Sequence, residues 1–80
     1  MRKFEVKVGT QIDKLDGHFI VTSINEAGLC FCDEFTFGEG DDDDPVKEDR
    51  EARLTKHDIA RYLKEVDGLN HDVIIERGTV

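Results

Sequence analysis

Leu54-Thr55-Lys56-His57-Asp58-Ile59-Ala60-Arg61-Tyr62-Leu63-Lys64-Glu65-Val66-Asp67-Gly68 is the stretch that decides the fold. Ile59, Tyr62, Leu63 and Val66 recur at i, i+3, i+4 and i+7, so the spacing predicts an amphipathic helix over Lys56–Asp67 with that face buried. Thr55 stands at the N-cap, and Asp58 three residues later completes a box-like pair. Leu54 ahead of the cap can staple onto Ile59. Gly68 suits the left-handed residue that ends a helix, and Leu69 beyond it can fold back on Leu63.

Around this helix the chain reads as strands. Lys3-Phe4-Glu5-Val6-Lys7-Val8 alternates strictly, which predicts a half-buried strand with Phe4, Val6 and Val8 inward. Asp13 to Gly17 carries turn residues, with Ile12 and Leu15 touching the core. His18 to Ile24 is rich in β-branched residues and reads as a second strand. Asn25-Glu26-Ala27-Gly28 fits a hairpin loop on a type I turn, with Gly28 taking a positive φ. Leu29 to Phe37 is the third strand. Leu29, Phe31, Phe35 and Phe37 share one face; Cys30, Cys32, Glu34 and Thr36 share the other. Asp33 interrupts the aromatic face, which predicts either a bulge there or a carboxylate that needs a partner.

Gly38 to Asp49 has no period and almost no apolar residues, so it reads as a long mobile acidic loop at about 38–49. A helix begun by Asp44-Pro45 has a poor apolar face, because Val46, Ala52 and Leu54 do not align. A short strand at about residues 50 to 54 with Ala52 and Leu54 inward fits better. After the helix, His71 and Asp72 turn the chain and Val73 to Glu76 forms a last strand. The order β-β-β-(β)-α-β describes a single small α+β domain over residues 1–80. One helix lies on one face of a mostly antiparallel, twisted sheet of four to five strands. The expected core is Phe4, Val6, Phe19, Val21, Phe31, Ile59, Leu63 and Ile75.

Charge narrows the function classes. The chain has 80 residues, 11 Lys and Arg against 19 Asp and Glu, and a formal net charge of −8. Residues 33 to 51 contain ten acids and two bases and so carry the whole excess; the other nine acids and nine bases cancel. Concentrated negative charge disfavours direct contact with nucleic-acid phosphates and with anionic membranes. The longest apolar run, Leu29-Cys30-Phe31-Cys32, is far short of the roughly 20 residues that span a bilayer. Met1 to Lys7 is basic without an apolar stretch behind it, so no secretory signal is read there. Cys30 and Cys32, two apart on one strand, suit reduced thiols in a cytoplasmic protein better than a disulfide.

No motif supplies a cofactor or a reaction. Asp41-Asp42-Asp43-Asp44 fails the calcium-loop pattern, because neither the sixth nor the twelfth position from Asp41 is the required Gly or Glu. Cys30-x-Cys32 is half a zinc site, and His57 and His71 would have to converge on it to complete one. Asp33 and Glu34 beside the cysteines oppose thiolate formation. Gly38-Glu39-Gly40 runs into four aspartates that repel phosphate. The sequence therefore points to a non-catalytic binding or regulatory module with no cofactor and no metal. Its partner is expected to be a protein with a basic surface, met by Glu39, Asp41, Asp42, Asp43, Asp44, Glu48 and Asp49. The alternative is an inhibitor of the kind carried by phages or mobile elements, a phosphate mimic that blocks a nucleic-acid-binding protein. The strand repeat of about 3.3 Å lies close to the roughly 3.4 Å charge spacing of one DNA strand. The assembly is expected to be a monomer or an edge-paired homodimer.

Overall fold

The computed structural model describes residues 2–37 and 44–76. The elements run β1 (Arg2–Val6), β2 (Gln11–Lys14), β3 (Gly17–Ile24), β4 (Cys30–Phe37), β5 (Pro45–Leu54), α1 (Lys56–Asp67) and β6 (His71–Ile75). Strands β2, β3, β4 and β5 form an antiparallel sheet in that order, and β1 pairs with β6 in parallel as a separate two-stranded ribbon. This is the expected α+β fold, with one helix and a mostly antiparallel sheet.

The helix forms for the reasons its sequence gives. The Thr55 hydroxyl accepts from the Asp58 N–H at 3.2 Å, and an Asp58 carboxylate oxygen accepts from the Thr55 N–H at 3.0 Å. Two of the four orphan amide donors of the first turn are thereby satisfied. The Thr55 N–H, helped by the Thr55 hydroxyl and by Arg61 and His57, holds the Asp58 carboxyl below the usual carboxylate range against the opposing effect of burial. Gly68 ends the helix at φ 75°, a left-handed conformation that costs a residue without Cβ nothing, and its N–H donates to the Lys64 carbonyl at 2.7 Å.

Helix α1 packs on β2 and β6, with a lighter contact to β5. Beneath it lies one core of Val6, Ile12, Phe19, Val21, Cys30, Cys32, Leu54, Ile59, Leu63 and Val73. Phe4 and Ile75 are partly buried against that core. The loop of Asn25 to Gly28 closes as expected: the Gly28 N–H donates to the Asn25 carbonyl at 3.0 Å, the Asn25 side chain accepts from Ala27 and Leu29, and Gly28 has φ 86°.

Several expectations are corrected. Asp13, Lys14 and Gly17, expected in a turn, belong to strands: Gln11–Lys14 pairs with Gly17–Ile20, and only Leu15 and Asp16 remain to reverse the chain. Leu15 at that turn is exposed. The first strand ends at Val6, and Val8 projects into solvent. Val66 sits on the helix flank, 45% exposed, so the buried face is Ile59 and Leu63 with Tyr62 partly buried beside them. His71 belongs to β6 rather than to a turn. Strand β5 starts at Pro45, so residues 45–49 are strand and not loop. The largest correction concerns β4, whose inward face is Cys30 and Cys32, both fully buried, while Phe31 lies on the opposite face.

Gly17 marks a close approach between β3 and β4. A Cβ built there would overlap the Phe35 carbonyl oxygen and lie 2.9 Å from Thr36 Cα, so β3 and β4 meet at this point only if residue 17 has no side chain. Backbone atoms cannot step aside as a flexible side chain can. Gly17→Ala is therefore expected to cost about 3 kcal/mol, read as a lowered midpoint in chemical denaturation. A midpoint equal to wild type would contradict the register of β3 on β4.

Candidate functional site

The acidic segment is organised by the β4–β5 hairpin. Opposite Glu34 the ladder is irregular: Asp33 pairs with Glu51 and Phe35 with Lys47, so β5 inserts two extra residues across from one stretch of β4. The sequence places the irregularity at Asp33 on β4; the structure places the inserted residues on β5. Over this bulge is a shallow depression of about 280 Å3 lined by Asp33, Lys47, Glu48, Asp49, Arg50 and Glu51.

Much of the segment's charge is used within the fold. Glu34 faces inward with its side chain 13% exposed and accepts from Lys14 Nζ at 2.6 Å. Arg50 Nε stands 3.5 Å from the other Glu34 oxygen. Lys14 is itself buried, lies 5.2 Å from the centre of the Phe19 ring and also reaches Asp16 at 3.2 Å. Burial alone would lower the Lys14 pKa, but the hydrogen bonds and charges of Glu34 and Asp16 outweigh it and hold it above the ordinary lysine value. On the outer face Lys47 approaches Asp33 at 3.6 Å, and on the inner face the Thr36 hydroxyl donates to Glu48 at 2.6 Å.

The site residues expected from sequence divide accordingly. Glu39, Asp41, Asp42 and Asp43 lie outside the described residues. Asp44 is exposed at the bend before β5. Glu48 is partly buried on the strand and held by Thr36, so it is not a free loop carboxylate, and Asp49 is exposed within the bulge. Sequence reasoning missed the Lys14–Glu34–Arg50 cluster. Its signal was the lone Lys14 in an alternating Ile12-Asp13-Lys14 stretch whose strand character went unread.

The two thiols are free and buried under the helix. Burial raises both; Cys32 is pushed up to about 12 by burial first, then by Cys30, Asp33 and Glu51. At neutral pH both stay protonated and are poor nucleophiles. His57 is exposed in the first helical turn, and His71 contacts the Leu69 carbonyl at 3.1 Å and Asp67 at 3.3 Å, so neither joins the cysteines. Among the described residues no group of three or more His, Cys, Asp or Glu is placed to hold a metal ion, and no helix is long and apolar enough to cross a membrane.

A larger cleft of about 630 Å3 lies between the β3–β4 loop at Ala27 to Leu29, the start of α1 and the β6 edge. Its lining includes Thr55, Lys56, His57 and Asp72 beside backbone and aliphatic side chains, and among the described residues no ion pair joins Lys56, His57 and Asp72 to one another. Comparison with protein-family models, with curated proteins and with solved structures found no match to this chain.

The Lys14–Glu34 pair makes a direct prediction. Removing one member strands a buried charge, an effect of about 3 kcal/mol where a second cation such as Arg50 still touches the carboxylate. Lys14→Met should lower stability by that amount at neutral pH, and adding Glu34→Leu should recover much of it. Equal stability of wild type and Lys14→Met in denaturant titration would show that the pair is not formed. Because the folded pKa of Lys14 is raised, its contribution is complete below the ordinary lysine value and is lost as pH climbs through the folded one.

Proposed function

We propose that this chain is a small, non-catalytic, cytoplasmic binding or regulatory module that recognises a protein with a basic surface through the acidic end of its β4–β5 hairpin. One observation carries the reading. The two bases within residues 33–51 are both engaged inside the hairpin, Lys47 by Asp33 and Arg50 by Glu34. Asp44, Asp49 and Glu51 are exposed and form no ion pair among the described residues. By sequence, Glu39 and Asp41 to Asp43 add four further acids beside them. Carboxylates that outnumber the local cations repel one another, and a basic surface relieves that repulsion while steering association.

Free thiols kept protonated by burial suit a reducing compartment. Direct binding to nucleic acid or to a membrane remains disfavoured by the same charge. The free edge of β5 is blunted by Pro45, by the run of charged side chains from Lys47 to Glu51 and by the bulge, which supports a monomer over edge pairing. A phosphate mimic is the second reading, and it gains from β5 holding Glu48, Asp49 and Glu51 on a strand instead of a loop. It loses from Glu34 and Glu48, which face inward and are already hydrogen-bonded.

Changing Asp41, Asp42, Asp43 and Asp44 together to Asn tests the proposal. The melting temperature should hold or rise slightly. Affinity for a partner captured by the wild-type chain should fall through slower association, with a difference that shrinks as salt is raised. Unchanged affinity at low ionic strength would overturn it. Competition by duplex DNA for the same partner site would favour the mimic.

A further inference from the structure

The four-stranded sheet has a second face that α1 does not cover. Its register sets His18 beside Phe35, Ile20 beside Asp33, Phe31 beside Arg53 and Phe37 beside Pro45. His18 stacks on Phe35 with ring centres 4.9 Å apart, and the Arg53 guanidinium lies 5.6 Å from the centre of the Phe31 ring. Phe31, Phe35 and Ile20 are partly exposed, Phe37 is 54% exposed, and none of the four packs against the core. Three of the five phenylalanines in the chain thus line the face turned away from the helix. A soluble domain stacks layers so that each apolar face is covered, and a contiguous exposed apolar stripe marks a contact surface.

We propose that this outer face docks an amphipathic helix of the partner protein, apolar along one side and bearing Lys or Arg on its flanks. The proposal rests on the protein-recognition reading above and extends it to the chemistry of the partner. Dimensions fit: Phe31 to Phe37 spans roughly 20 Å of strand, the length of about 14 helical residues. A helix is roughly 10 Å across, so one seated over β3 and β4 carries its flanking side chains above β2 and β5, about 4.8 Å further out on each side. The charges there are complementary. Asp13 flanks the stripe on β2, Glu51 flanks it on β5, and Asp44 stands at its end; all three are exposed and form no ion pair among the described residues. The bases on this face are Lys47, paired with Asp33, and Arg53, set over the Phe31 ring, so the four acids Asp13, Asp33, Asp44 and Glu51 outnumber the two bases. Apolar side chains down the middle, interrupted once by the Asp33–Lys47 pair, with carboxylates on both sides are the counterpart of a basic amphipathic helix.

The test uses the full chain, labelled with 15N, and a synthetic amphipathic Leu/Lys peptide of about 14 residues, with a Leu/Glu peptide of the same pattern as control. The expected result is that the Leu/Lys peptide alone binds and shifts the amides of Ile20, Phe31, Asp33 and Phe35, leaving Lys64 and Glu65 on the solvent side of α1 unmoved. Phe35→Ser and Phe37→Ser, checked for folding by thermal melt, should each weaken the peptide about tenfold, as loss of a buried aromatic anchor does. The mapping on wild-type protein stands even if a variant fails to fold. Absence of binding, shifts confined to residues 44–51, or sedimentation showing that the protein alone is a dimer closed through this face would each overturn the proposal. Shifts confined to residues 44–51 would leave the acidic-hairpin reading standing, whereas its own failure shows in the salt titration of the Asp-to-Asn variant.

Discussion

Strand β4 can put only one of its two faces beneath the helix, and the rest of the structure follows from which one. Side chains alternate with a period of two, so burying Cys30 and Cys32 sends Phe31, Asp33, Phe35 and Phe37 outward. Two features decide the parity. The aromatic face contains Asp33, a carboxylate that inside the core would sit unpaired among hydrocarbon at a cost of several kcal/mol. The opposite face contains Glu34, which is also a carboxylate but lands 2.6 Å from Lys14. The small cysteines share the interior with Val6, Ile12, Val21 and Ile59, the other fully buried side chains.

From this parity follows the electrical character of the hairpin. Glu34 draws Lys14 and Arg50 together and ties β2, β4 and β5 at the end of the sheet remote from the helix cap. The bulge in β5 lets Arg50 reach inward while Lys47 serves Asp33 outside. The chain's negative excess therefore borders a surface where acids outnumber bases and whose outer face carries three phenylalanines. Acidic flanks beside an apolar stripe are a combination that neither composition nor total charge reveals, because it depends on which residues share a face.

The limits and caps of the helix were legible because their signals are local: the Thr55–Asp58 box, the 3.6-residue spacing of Ile59 and Leu63, and Gly68. The third and fourth strands and their loop were legible for the same reason. Gln11–Lys14 was hidden because Asp13, Asp16 and Gly17 read as turn chemistry, and only pairing with β3 makes the segment extended. Pro45 to Asp49 was hidden because Pro, Lys, Glu and Asp are poor strand formers, and an edge strand takes its conformation from its neighbour. Val8 and Val66 continue apolar patterns past the point where anything lies above them, a matter of tertiary packing that periodicity does not contain. The inward face of β4 was misread because three phenylalanines outweigh two cysteines in hydrophobicity. Cysteine is nevertheless among the most buried residue types, and Asp33 on the aromatic face was the available warning.

The parity of β4 is tested most directly by the reaction of its two thiols with an excess of a small disulfide reagent under native conditions. With Cys30 and Cys32 fully buried and held as thiols, the account predicts that neither reacts in the folded protein except through unfolding. Both rates should then rise together with denaturant along the global unfolding transition. Rapid reaction of either thiol without denaturant, in protein shown to be folded by its circular dichroism, would contradict it. That result would turn the aromatic face inward.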